Sequence, residues 1–221
     1  MSSDQHWLTW QLIDSAFPAG GLSHSAGIEA AWQAGELDHD VRAFVRTHVA
    51  QQGQAMVPWV LAAHRDPHLF ASIDLACDAM LTNHVANRAS RSQGRAMLSA
   101  ASRVFGDKPF EALLAVTAPM AQPVHQAPVM GAVGAALGVS DEVIARAFLF
   151  VSLRSVISAA VRVGIVGPFE GQTVQHELAG HLEAVAREVI GWRTDAACHT
   201  APVMEVTGAM QDRLYSRLFV S

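Results

Sequence analysis

The segment from Asp141 to Val163 sets the tightest limit on how this chain folds. Its apolar residues Val143, Ile144, Ala147, Phe148, Leu149, Phe150, Val151, Leu153, Val156 and Ile157 run most of the way round a helical wheel. A helix that is apolar on nearly every side must be covered by neighbours on several sides. Ser155, Ser158 and Arg162, spaced i, i+3 and i+7, form the polar stripe along it. Ser140, Asp141 and Glu142 open it with a capping hydroxyl and two acids at the positive end of the helix dipole.

The covering elements read as helices too. Alanine supplies 38 residues, tyrosine one, and alternating apolar and polar stretches are missing, which favours helix over strand. Further helices are expected over about His6–Ser15, Ala26–Ala34, Asp38–Ala63, Pro67–Leu81, His84–Phe105 and Pro128–Gly138. After a loop from Gly164 to Gly171, an amphipathic helix carries Val174, Leu178, Leu182, Val185 and Val189 to Gly191, and a last short one starts near Met204. Asp38 is the expected N-cap of its helix, and Pro58 is expected to kink or break it. The reading is an all-α, single-domain bundle of about nine or ten helices over residues 1–221, around a central buried helix, with a flexible C-terminal tail from about 205 to 221.

The chain is 51% hydrophobic and 16% charged, which raises the question of a membrane. Ala112–Ser140 contains no Asp, Glu, Lys or Arg, but Pro119, Pro123 and Pro128 interrupt it, at about 3 kcal/mol or more each inside a helix. It is not a span. Met1–His6 has no basic region leading into an apolar core, so cytoplasmic residence is expected, with Cys77 and Cys198 as reduced thiols. Net charge is −5 and Lys108 is the only lysine, so nucleic acid and anionic membrane are not expected partners.

Chemical motifs come out weak. His176 and His181 flank a Glu-Leu-Ala-Gly segment at i, i+5, about 140° apart on a helix, too far round for one metal. The other histidines are scattered, and Pro67 separates His64 from His68. No P-loop is present. Ser23, His24 and Ser25 place hydroxyls beside an imidazole, but a nucleophile and its base must meet through space with a third group orienting the base. Ser25 reads instead as a helix cap. Neither a cofactor nor a metal site is expected. Arg88, Arg91 and Arg95 share a helix face that suits an acidic surface or plain solvent. Two enzyme or regulator readings compete at this level: a helical transcriptional regulator, against which His6–Ser15 shows no basic recognition helix, and a small hydrolase resting on Ser23, His24, Ser25 and Glu29.

Four blocks in order carry a resemblance. Leu12–Ala31, with Phe17, Pro18, Gly20, Gly21, His24, Ser25, Gly27 and Glu29, resembles the N-terminal signature of the urease accessory protein F (UreF) family. His125–Gly131 and Ser158–Gln172 resemble its central blocks, and Tyr215–Ser221 its terminal motif. The resemblance implies an all-α, homodimeric, non-catalytic accessory protein. Such a protein binds a urease D/H-type scaffold and then a G-type GTPase, and helps couple GTP hydrolysis to nickel insertion into apo-urease. It further implies that Tyr215, Arg217, Leu218 and Phe219 contact the D/H-type partner and that Arg162 holds the place of a functionally important basic residue. Relatives often carry His-Glu where this chain has Gln211-Asp212, and a basic residue where it has Val220.

Overall fold

The computed structural model describes residues 3–37, 40–119 and 121–221. Among these, eleven α-helices and no strand are found: α1 Ser3–Ile13, α2 Ile28–Gln33, α3 Val41–Arg65, α4 Phe70–Met80, α5 His84–Phe105, α6 Glu111–Thr117, α7 Gln126–Ala136, α8 Asp141–Val163, α9 Pro168–Glu177, α10 Ala179–Val189 and α11 Pro202–Ala209. The all-α reading holds. The extra helices come from α6, whose seven residues follow a Lys108–Phe110 turn, and from a break at Leu178 that splits the amphipathic segment into α9 and α10.

Helix α8 takes the expected central place, packed against α1, α2, α3, α7, α9 and α10. It is the described helix long and apolar enough to cross a membrane, yet Ile144, Phe148, Leu149, Leu153, Val156 and Ile157 are all buried in the core. Helix α7 is more enclosed still, with every residue from Ala127 to Gly134 buried. Small residues make that possible. A Cβ added to Gly131 would lie 2.0 Å from the Val60 carbonyl oxygen of α3, and one added to Gly94 of α5 would lie 2.1 Å from the Val124 carbonyl oxygen.

Pro58 does not break α3, which continues through it to Arg65. An interior proline removes its own N–H and leaves the carbonyl four residues back without a partner. Here that carbonyl, of Gln54, accepts the Cys198 N–H at 3.2 Å, so the loss is made good from another part of the chain. The expected cap Asp38 lies outside the described residues; Asp40 caps α3, accepting from Arg42 N and Ala43 N. Ser140 makes no side-chain cap on α8, where the Asp141 carboxylate accepts the Glu142 N–H instead. Pro128 sits in the first turn of α7 rather than at its first residue, a turn in which its missing N–H is not needed.

The start of α7 is held by a buried carboxylate. Asp74 of α4 is fully buried and accepts from Val124 N, His125 N and Gln122 Nε2, all within 2.8 Å. It fixes Val124 at φ +63°, which a β-branched residue rarely adopts. Beside it the buried His125 ring joins Asp78 Oδ1 at 2.9 Å to Ser90 Oγ at 3.1 Å, and Ser90 Oγ also accepts the Gln126 N–H. That engagement makes Ser90 a cap of α7.

Candidate functional site

The first and last sequence blocks meet in space. After α1, the loop from Asp14 to Gly27 turns through Gly20 at φ +75° and Gly27 at φ +82°, conformations that favour glycine, and delivers Glu29 on the first turn of α2. Glu29 is 3% exposed. Beyond α11 the chain makes a short 3₁₀ turn, Met210–Arg213, and the tail then returns to this loop.

Glu29 is the clamp. Its Oε1 accepts the Leu218 N–H at 2.6 Å, while its Oε2 accepts the Phe219 N–H at 3.2 Å and the Gln211 side-chain N–H at 2.6 Å. Three donors on one carboxylate are charge-assisted bonds, roughly twice as strong as neutral ones. The loop adds a short ladder: Val220 N donates to the Ser23 carbonyl at 3.0 Å, Ser25 N donates to the Ser221 carbonyl, and His24 Nδ1 bonds the Ser221 hydroxyl. On the flank, Asp212 pairs with Arg217 at 2.9 Å and with Arg88 at 2.8 Å. The Arg162 guanidinium stacks 4.4 Å above the Phe219 ring, joining the α8 polar stripe to the tail.

Of the tail residues singled out from sequence, Phe219 is buried, Arg217 is about half exposed, and Tyr215 and Leu218 face solvent. Phe17, Pro18, Gly20, Gly21, His24, Arg162 and Phe219 line one cleft of about 720 Å³ between the N-terminal loop, α8 and α9. Gly21, His24 and Gly27 also border a smaller cavity of about 160 Å³ shared with His48, Gln51 and Glu205. Ser25 is buried beneath the tail and its hydroxyl accepts the Gly27 N–H, closing a turn ahead of α2 rather than capping the helix.

Three residues of this junction were not in the sequence reading of the site. Gln211 and Asp212 stood out only as departures from relatives, and they prove to be the link to Glu29 and the bridge between Arg217 and Arg88. The spacing of Arg88 with Arg91 and Arg95 suits a face open to solvent or to an acidic surface. The structure answers that face from within the chain while Arg88 and Arg95 stay exposed: Arg88 binds Asp212, Arg91 binds Asp78, and Arg95 donates to the Gln122 carbonyl. His24 pairs with Ser221 rather than with its sequence neighbours, and Glu29 is committed to the tail. His181 Nε2 bonds the Arg46 carbonyl and His64 Nε2 the Val139 carbonyl. Among the described residues no group of three or more His, Cys, Asp or Glu is placed to hold a metal ion.

Burial and hydrogen bonding set the pH response. Burial holds His48 neutral, down at about 4, against the opposing pull of Glu205. Burial pushes the Asp78 carboxyl up, but hydrogen bonds from Arg91, Asn87 and His125 outweigh it and bring it to about 2. A histidine or carboxyl lowered on folding stabilises the fold above its unfolded value and loses that contribution as pH falls through the folded one. Thermal melts are expected to hold level from pH 8 to 7 and fall below about 6.5 as His48 is asked to charge. A steeper fall follows below about 4 as Asp78 protonates. His48→Gln is expected to lessen the first phase, to which the buried His24 and His125 also contribute, and to leave the second; an unchanged first phase would assign it elsewhere.

The fold and this junction define an all-helical protein built to hold a short extended segment of its own against a helical body. The family model for UreF matches residues 5–179. Urease accessory protein F of Arabidopsis thaliana is 35% identical over 226 aligned residues, spanning 100% of this chain and 94% of its own length. Urease accessory protein F of Oryza sativa subsp. indica is 34% identical, with 99% of this chain and 87% of its own covered. Urease accessory protein UreF of Mycobacterium tuberculosis (strain ATCC 25177 / H37Ra) is 30% identical, with 95% and 96% covered. The chain belongs to the UreF family.

Proposed function

We propose that this protein is a non-catalytic accessory factor in urease maturation. In this reading it docks a D/H-type scaffold protein through its tail and the adjoining N-terminal loop. It then presents a G-type GTPase so that GTP hydrolysis is coupled to nickel insertion into apo-urease; nickel is cargo, not a resident cofactor. It works as a cytoplasmic homodimer built from a single domain over residues 1–221. The observation that carries the reading is the convergence of two family blocks, far apart in sequence, on one carboxylate, Glu29, beside an open cleft.

Exposed Tyr215 and Leu218 stand on a segment whose backbone is already fixed, so a partner would bury apolar area at roughly 25 cal/mol per Å² with little further ordering to offset. Deleting residues 210–221 is expected to abolish copurification with a D/H-type protein while far-ultraviolet circular dichroism stays helical. Tyr215→Ala with Leu218→Ala, both at the surface, is expected to weaken capture at least tenfold without changing the melt. Full-strength capture by either variant would remove the tail from the interface.

Arg162 is the candidate for the GTPase step. In the assembled complex, Arg162→Ala is expected to keep both partners bound and to lower GTP turnover, as gating requires. Loss of the GTPase from the complex would make Arg162 a presentation contact instead.

A further inference from the structure

The tail is closed over a titratable group that the docking reading does not use. His24 is 9% exposed and lies between the two cavities, with its Nδ1 on the Ser221 hydroxyl. On either side of that contact, Val220 N is bonded to the Ser23 carbonyl and Ser25 N to the Ser221 carbonyl, so the end of the tail rests on the backbone that carries the imidazole. We propose that His24 is the latch of the tail, and that adding a proton to its ring releases residues 217–221 from the N-terminal loop. The inference deepens the docking reading and rests on it for its consequence, the loss at low pH of the fixed tail on which a partner docks.

The hydrogen bond itself survives either charge state, because a serine hydroxyl both donates and accepts. What a charged ring does not tolerate is the burial. Burial lowers the His24 pKa first, and the Arg88 guanidinium of α5 lowers it further. Releasing the tail hydrates the ring, which relieves the burial and screens the guanidinium, so the proton favours the open state.

The other charges around the ring do not cancel this. Arg88 is bridged to the tail by Asp212, and Glu29 of α2 is committed to three N–H donors. Across the smaller cavity stand His48 of α3, itself held neutral, and Glu205 of α11, which is paired with His199. Across the larger cleft stand Arg154 and Arg162 of α8, which add positive charge, and Asp14 of the loop. His84 of α5 lies 3.4 Å from Asp212, at the base of the tail, and serves as the control histidine.

The sign follows from linkage. A group whose value is lowered in the closed state favours closure above its open value and loses that contribution as pH falls. One proton on a ring with an ordinary open value near 6.5 changes the closed-to-open ratio by up to about tenfold between pH 7.5 and 5.5. The test is hydrogen exchange of the peptide covering residues 214–221 in the isolated full chain at those two pH values, corrected for intrinsic exchange. The wild type is expected to lose protection by up to tenfold at the lower pH. His24→Asn, whose amide bonds Ser221 without titrating, is expected to hold the same protection at both, and the control His84→Asn to show the wild-type loss.

Equal protection of the wild type at both pH values overturns the latch. So does an undiminished loss in His24→Asn. If an imidazole titration by nuclear magnetic resonance shows His24 with an ordinary value in the closed chain, the latch also fails, whatever the variants do. Capture of a D/H-type protein at the two pH values separates this inference from the one beneath it: acid release with capture unchanged leaves the latch standing and counts against docking through the tail.

Discussion

Gly131→Ala is expected to lower the melting temperature by about 10 °C and to leave the residual helix loosely packed. The added Cβ would lie 2.0 Å from the Val60 carbonyl oxygen and 2.9 Å from its carbon, a backbone contact that cannot rotate away. Overpacking a well-filled core typically costs about 1–3 kcal/mol, and a rigid neighbour places this site at the top of that range or above. In a chain of this size each kcal/mol moves the midpoint by about 2–4 °C. Gly180→Ala is the control, because nothing lies within 4 Å of its added carbon and alanine is the better helix former. Its melt is expected to be unchanged or slightly higher. Equal melts for the two variants would show that α3 and α7 do not pack as closely as described.

Glu29→Ala is expected to free the tail without unfolding the body. The substitution removes the acceptor of the Leu218, Phe219 and Gln211 donors in a buried place, and stranded donors there cost about 1–3 kcal/mol each. A loss of about 3 kcal/mol in tail docking alone corresponds to more than a hundredfold in the closed-to-open ratio. Hydrogen exchange over residues 214–221 is expected to rise by that order while the amides of α3 and α7 keep their protection. Glu29→Gln should fall between, since its amide keeps one acceptor oxygen but turns an N–H toward a donor. Unaltered tail protection in Glu29→Ala would mean that the ladder from Ser23 to Ser221 holds the tail by itself. The same variant is expected to change capture of a D/H-type protein, because Tyr215 and Leu218 lose their fixed backbone.

What the sequence made legible is what periodicity and composition govern. The near all-round apolar pattern of Val143–Ile157 foretold a helix covered on several sides, and Gly106 and Gly164 mark helix ends where local chemistry decides them. What it hid depends on partners far along the chain. Pro58 looked like a break because its compensation, the Cys198 N–H on the Gln54 carbonyl, belongs to a different segment. The split at Leu178 turns on a single residue between two apolar stretches of matching period.

The same division runs through the site. Glu29, His24 and Phe219 were visible as members of motifs, yet nothing local says that a glutamate in the first turn of α2 receives backbone donors from Leu218 and Phe219. Arg88, Arg91 and Arg95 share a face in sequence, and their pairing within the chain follows from where Asp212, Asp78 and Gln122 come to lie. A charge stripe on a helix shows which side is polar, not whether water or the chain itself answers it. The departures at Gln211 and Asp212 were legible as differences, and their meaning came only with the carboxylate and the guanidinium they touch.

Coexpression of the full chain with a D/H-type and a G-type urease accessory protein, followed by size-exclusion chromatography, is expected to give one peak containing all three. The same experiment with residues 210–221 deleted is expected to leave the chain eluting alone. Elution of the intact chain apart from both proteins, at concentrations where each is folded, would contradict the account.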